Sequence, residues 1–196
     1  MRRRTFDSLA SLGGVVLTAV LLVAGGLLMW GAGFANSNVH DQLAQQQIVF
    51  PPAGSKALAS PEIGPYLNQY AGEPLTTGAQ AKAYADHFIA VHLSEMPYGG
   101  VYSKASAAAQ ADPENAALAT EVQTIFRGTT LRGLLLEGYA FSVFGEIAVW
   151  AGIASLALAG VMLVLTVLGF VHGRRTNPEE EVLLGEHPLR ELVGIH

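Results

Sequence analysis

The sequence predicts an all-α membrane protein in which two transmembrane helices flank a mostly helical extracytoplasmic domain. Three observations predict it. Two long runs lack any charged side chain, basic residues cluster on the flanks of those runs nearest the chain ends, and the stretch between them carries helix caps and turn residues but few alternating apolar/polar strands. The expected boundaries are a cytoplasmic N-terminus at 1–8, a first span at 9–35, an outer domain at 36–144, a second span at 145–172 and a cytoplasmic tail at 173–196.

Composition narrows the possibilities. With 51% apolar and 14% charged residues over 196 positions and a mean hydropathy of +0.35, the chain is greasier than a soluble domain, in which about a quarter of residues are charged. That surplus must be buried in lipid or protein. No cysteine is present, so disulfides, thiolate nucleophiles and cysteine-based zinc or iron–sulfur sites are excluded together. A net charge of -5, with its lysines and arginines scattered or at membrane ends, argues against a nucleic-acid partner.

Between Asp7 and Asp41 the only ionisable side chain is His40, and the apolar run Leu9 to Ala35 exceeds the ~20 residues that cross a bilayer core. A basic start and the small residues Gly33 and Ala35 also occur before cleavage sites, but this run is longer than the about 7–15 residues of a signal core, so a retained span is expected. The second run, Ile147 to Val171, is equally free of charge. Arg2, Arg3 and Arg4 precede the first run, and His172, Arg174 and Arg175 follow the second, which assigns both termini to the cytoplasm. Trp30 and Trp150 then fall at the outer interface, where indole rings are favoured.

In the outer domain, His40 to Gln47 is expected to continue the first helix until Pro51 and Pro52 stop it. A short helix is expected around Ile63 to Tyr70. Thr76 or Thr77 caps a helix over Ala79 to Met96, with Tyr84, Phe88 and Val91 on one face, and Pro97-Tyr98-Gly99-Gly100 turns the chain. After the alanine-rich Tyr102 to Ala111, Asp112-Pro113-Glu114 reads as a helix start. From there Leu118, Val122, Ile125 and Phe126 form a stripe that feeds towards the second span, with Gly128, Gly133 and Gly138 as places where the helix could bend.

Several residues are weighed for function. His87 and His92, with Asp86 and Glu95 nearby, are the nearest approach to a metal site, but an i, i+5 spacing on an α-helix puts the rings about 140° apart, so no metal, cofactor or catalytic residue is assigned. Glu137 and Glu146, near the outer membrane boundary, are expected to play a structural role, capping the interface or pairing with Arg132 or Arg127, ahead of ion or proton transfer. Small residues are the more informative signal: Ala148, Gly152, Ser155 and Ala159 share a face of the second span, and Gly14, Thr18 and Gly25 do so on the first, marking helix–helix contact. Gly26, Gly31, Gly33, Gly160 and Gly169 are left over for a further partner.

The words Leu75 to Leu93, LTTGAQAKAYADHFIAVHL, and Ile125 to Phe141, IFRGTTLRGLLLEGYAF, with the RRRTFDSLASLGG start and NSNVHDQL at Asn36 to Leu43, resemble a family of small actinobacterial membrane proteins of uncharacterised function. Its members often carry the name aromatic ring-opening dioxygenase, and the likeness covers most of residues 1 to 175. The resemblance implies location and topology. It does not imply the chemistry of that name, which needs two histidines and a carboxylate converging on one iron.

The expected role is a non-catalytic accessory or scaffolding subunit of a larger cell-membrane complex, respiratory or transport, with membrane lipids and other subunits as partners. The alternative is a self-associating, homo-oligomeric envelope protein or sensor whose outer domain binds a small molecule or lipid through Tyr66, Tyr70, Tyr84 and Phe88. The tail Thr176 to His196 reads as a disordered end or a docking peptide.

Overall fold

A computed structural model describes residues 3–175. Six α-helices carry them: α1 (Arg3–Gln45), α2 (Gly64–Leu67), α3 (Gly78–Ala83), α4 (Ala90–Ser94), α5 (Tyr102–Ala111) and α6 (Ala116–Arg175). A π-helical segment, Tyr84–Ile89, joins α3 to α4. Short 3₁₀ turns occupy Lys56–Leu58, Asn68–Tyr70 and Pro97–Gly100. Among the described residues the extended structure is one antiparallel bridge, Val49 with Pro74. Both α1 and α6 are long and apolar enough to cross a membrane, and only 17% of the most apolar window of each is buried. The core helix of a soluble protein would be mostly covered.

The chain divides into two compact units, Met1–Trp30 with Val149–His196, and Gly31–Ala148. In the first, α1 and α6 pack antiparallel. Asp7 lies against Gly173, Ser11 against Gly169, Gly14 against Thr166, and Gly25 against Gly152 and Leu156. From Asp7 to Ser11 to Gly14, and from Gly173 to Gly169 to Thr166, the facing positions step by four and then three residues, as a 3.5-residue repeat does.

In the second unit the core is Val39, Leu43, Phe50, Leu58, Ile63, Leu67, Leu75, Ala81, Ala85, Ile89 and Leu135. Each element reaches it for a local reason. α1 ends at Gln45, two residues before the expected Gln47 and well before the prolines, because Gln47 turns left-handed at φ 53 while Gln46 and Gln47 donate to the carbonyls of Leu43 and Ala44. The proline-bearing loop that follows is clasped by a short ladder, in which Leu75 N–H donates to Ile48 O (2.8 Å), Phe50 N–H to Glu73 O (2.9 Å) and Gly72 N–H to Pro51 O (3.2 Å). This clasp seats Phe50, 1% exposed, in the core.

Of the two candidate caps, Thr77 starts α3, and it does so in a capping box with Gln80. Gly78, the first residue of α3, is at a close approach: a Cβ there would collide with the side chain of Ser142 and lie 3.3 Å from Tyr139 Cα on α6. The turn after α4 needs glycine for another reason, since Tyr98, Gly99 and Gly100 are all left-handed (φ 60, 64 and 66) and a Cβ on Gly100 would strike the Leu93 carbonyl.

The start of α6 departs from expectation. Asp112-Pro113-Glu114 is a turn, and Asn115 is the cap, accepting from Leu118 N–H through Oδ1 (3.0 Å) while its amide donates to Asp112 Oδ2 (3.0 Å). From Ala116 the helix runs unbroken past Gly128, Gly133 and Gly138. Two of these are contact points: a Cβ would meet Leu93 at 2.8 Å from Gly128 and Leu43 at 3.7 Å from Gly138.

Candidate functional site

Two constellations can carry function: the seam of the first unit and the π-helical turn of the second. In the seam, Gly25, Gly152, Ser155 and Ala159 are buried, as is Thr18, while Gly14 is half-buried. Ser155 Oγ donates across the seam to Leu21 O (2.8 Å), and Thr18 Oγ1 donates back to Gly14 O on its own helix (2.7 Å). A Cβ on Gly25 would lie 2.7 Å from the Leu156 side chain, and one on Gly152 2.9 Å from Met29 Sδ, so both backbones approach as closely as glycine permits. Ala148 is half-buried in the second unit. Of the glycines left over from this face, Gly169 faces Ser11 Oγ, whereas Gly26, Gly31, Gly33 and Gly160 have nothing within 4 Å of a Cβ position. Arg174 and Arg175 are exposed at the end of α6, α1 begins at Arg3, and Arg2 and the tail from Thr176 lie outside the described residues.

In the second unit, the π turn gathers the charged and aromatic side chains. Asp86 accepts from Lys82 Nζ through Oδ2 (2.6 Å) and from Arg132 Nη2 on α6 through Oδ1 (2.9 Å). The Lys82 bond does most to hold the Asp86 carboxyl below its ordinary value; burial opposes this and Arg132 reinforces it. The same bond raises Lys82, whose ammonium also sits 5.3 Å from the Tyr139 ring centre. Arg132 is thereby committed to Asp86 and not to Glu137 or Glu146, which correct the expected pairing. An i, i+5 separation such as Arg132 to Glu137 lies off the three- and four-residue spacing at which helix side chains meet.

The aromatic residues do not form one open surface. Phe50 packs against Tyr70 (5.3 Å between ring centres) and edge-on against Tyr84 (5.4 Å), Tyr84 stacks on Phe88 (4.7 Å), and burial raises the Tyr84 hydroxyl's pKa. Tyr66 stands apart, stacked flat on His87 at 3.5 Å. His92 packs on Phe88, with Nδ1 2.7 Å from Phe88 O. The two histidines thus face different partners, and no group of three or more His, Asp or Glu able to hold a metal is found among the described residues. The angle argued from α-helical spacing does not apply, because the intervening turn is π-helical.

Sequence reasoning missed three features: the π turn, the Asp86–Arg132 pair, and an exposed apolar patch of Tyr98, Val101, Tyr102 and Phe126. Only the i, i+4 spacing of Lys82 and Asp86 signalled part of the second. No protein-family model, curated protein or solved structure matches the chain.

Proposed function

We propose that the chain is a non-catalytic accessory or scaffolding subunit of a larger cell-membrane assembly, anchored by α1 and α6, with both ends in the cytoplasm and the second unit on the outer face. The observation that carries this reading is the patch of Tyr98, Val101, Tyr102 and Phe126, each between 41% and 48% exposed. Tyr102 and Phe126 touch, with ring centres 5.6 Å apart, and the left-handed run Tyr98 to Gly100 fixes the turn that presents Tyr98. Rigid, exposed aromatic side chains are the residues that anchor protein interfaces, and ordering them on binding costs little entropy. The open glycines Gly26 and Gly160 add helix surface on which another span can pack closely. The basic residues at both chain ends support the topology, and the family resemblance agrees with it.

Gentle detergent extraction followed by mass spectrometry of co-purifying proteins tests the reading. A fixed set of larger membrane subunits, lost when Tyr102→Ala and Phe126→Ala are combined, is the expected result. A lone homo-oligomer unaffected by the pair would favour self-association instead.

A further inference from the structure

Within the second unit, α1 and α6 enclose a groove of about 510 Å³. One wall is a row of amides spaced four residues apart, Asn38 and Gln42 on α1 and Gln46 in the turn that closes it. The other is α6, where Leu134, Glu137 and Phe141 share a face; Leu134 is 60% exposed. Glu137 is the one ionisable group in the lining. Neither it nor the three amides has a side-chain hydrogen bond or ion pair within the described chain, where Asp86 takes both Arg132 and Lys82.

We propose that this groove binds an aminophospholipid, with an acyl chain along Leu134 and Phe141, the head-group ammonium on the Glu137 carboxylate, and phosphate oxygens accepting from the amide row. The chemistry on the page selects that class. A lone carboxylate beside apolar side chains calls for a cation that brings its own hydrocarbon, and primary amides supply donors for phosphate without adding charge. Size argues against a partner helix as the occupant. One helical turn about 10 Å across and 5.4 Å long already fills about 420 Å³, whereas the groove lies in the range of about 300–1,000 Å³ usual for small-molecule sites. The inference goes beyond the assembly reading and does not rest on it.

The test uses the full chain in maltoside micelles, titrated with lysophosphatidylethanolamine or with lysophosphatidylglycerol of the same acyl length, and read by native mass spectrometry. One lysophosphatidylethanolamine per chain is expected, retained at least tenfold better than the glycerol lipid. Glu137→Gln should abolish the preference, Glu137→Lys should reverse it, and Leu134→Asn should weaken both lipids. Both positions are exposed, so each variant should keep wild-type helicity, checked by circular dichroism. Equal retention of the two lipids, or a preference that survives Glu137→Gln, overturns the proposal. So does cross-linking from Leu134→Cys to a second copy or another subunit that blocks both lipids.

Discussion

At the scale of single residues, Asp86 shows how a carboxylate on a short helix ties down a distant one. It is mostly buried and holds two cations, one a turn away and one 46 residues on. Because its folded pKa lies below the ordinary 3.8, its contribution to stability is complete above that value and is lost as pH falls below it towards the folded pKa. Both partners are 40% exposed or more, so solvent screens the pair and its worth is about 1 kcal/mol. Melting of the wild type should therefore drop further between about pH 4 and about pH 2 than melting of Asp86→Asn, which should start lower at neutral pH. Parallel curves for the two proteins would remove Asp86 from the account. Gly152 makes the complementary point about volume. Gly152→Leu must push Met29 or the Gly25 backbone aside and should cost about 1–3 kcal/mol in detergent, whereas Gly160→Leu, with open space around it, should change stability by less than about 0.5 kcal/mol. Thermal unfolding followed by circular dichroism separates the two.

At the scale of elements, the α3 cap is a hub and not a single bond. Gln80 is buried; its Oε1 accepts from Thr76 N–H (2.8 Å) and Thr77 N–H (3.1 Å), and its Nε2 donates to Glu73 (3.0 Å), so one side chain joins the cap to the clasp loop. Thr77→Ala removes one cap bond and should cost about 1 kcal/mol. Gln80→Ala strands two backbone donors and should cost about 2 kcal/mol. Hydrogen exchange should rise over residues 76–94 more in the second variant than in the first; the reverse order would refute the hub. These elements also show what a sequence discloses. Thr77 was legible because a cap is a local bond between neighbours in the chain. Asn115 was not, because Asp112-Pro113 offers an equally good local start and only the packing of α5 and α6, with Ala105 and Ile125 both fully buried, decides between them. The π turn was likewise hidden: one extra residue in a helical turn leaves no mark in composition, and it re-aims Asp86 towards Arg132 and His87 towards Tyr66 only once those partners are in place.

At the scale of the whole molecule, the charge-free runs were legible because a bilayer excludes charge over a length that depends on nothing else in the fold. The proposed sidedness rests on a weaker but independent asymmetry, the basic residues at the chain ends against a central segment whose lysines and arginines are dispersed. The absence of cysteine makes this directly measurable, since an introduced thiol is the only one present. Lys104 and Arg175 are both exposed, one in α5 and the other the last residue of α6. In intact spheroplasts a membrane-impermeant maleimide should label Lys104→Cys, while Arg175→Cys should react only after the membrane is opened. The opposite pattern would put the aromatic patch in the cytosol. Labelling of both in intact spheroplasts would mean that one of the two long helices does not cross, and that its large exposed apolar side chains need protein, not lipid, to cover them.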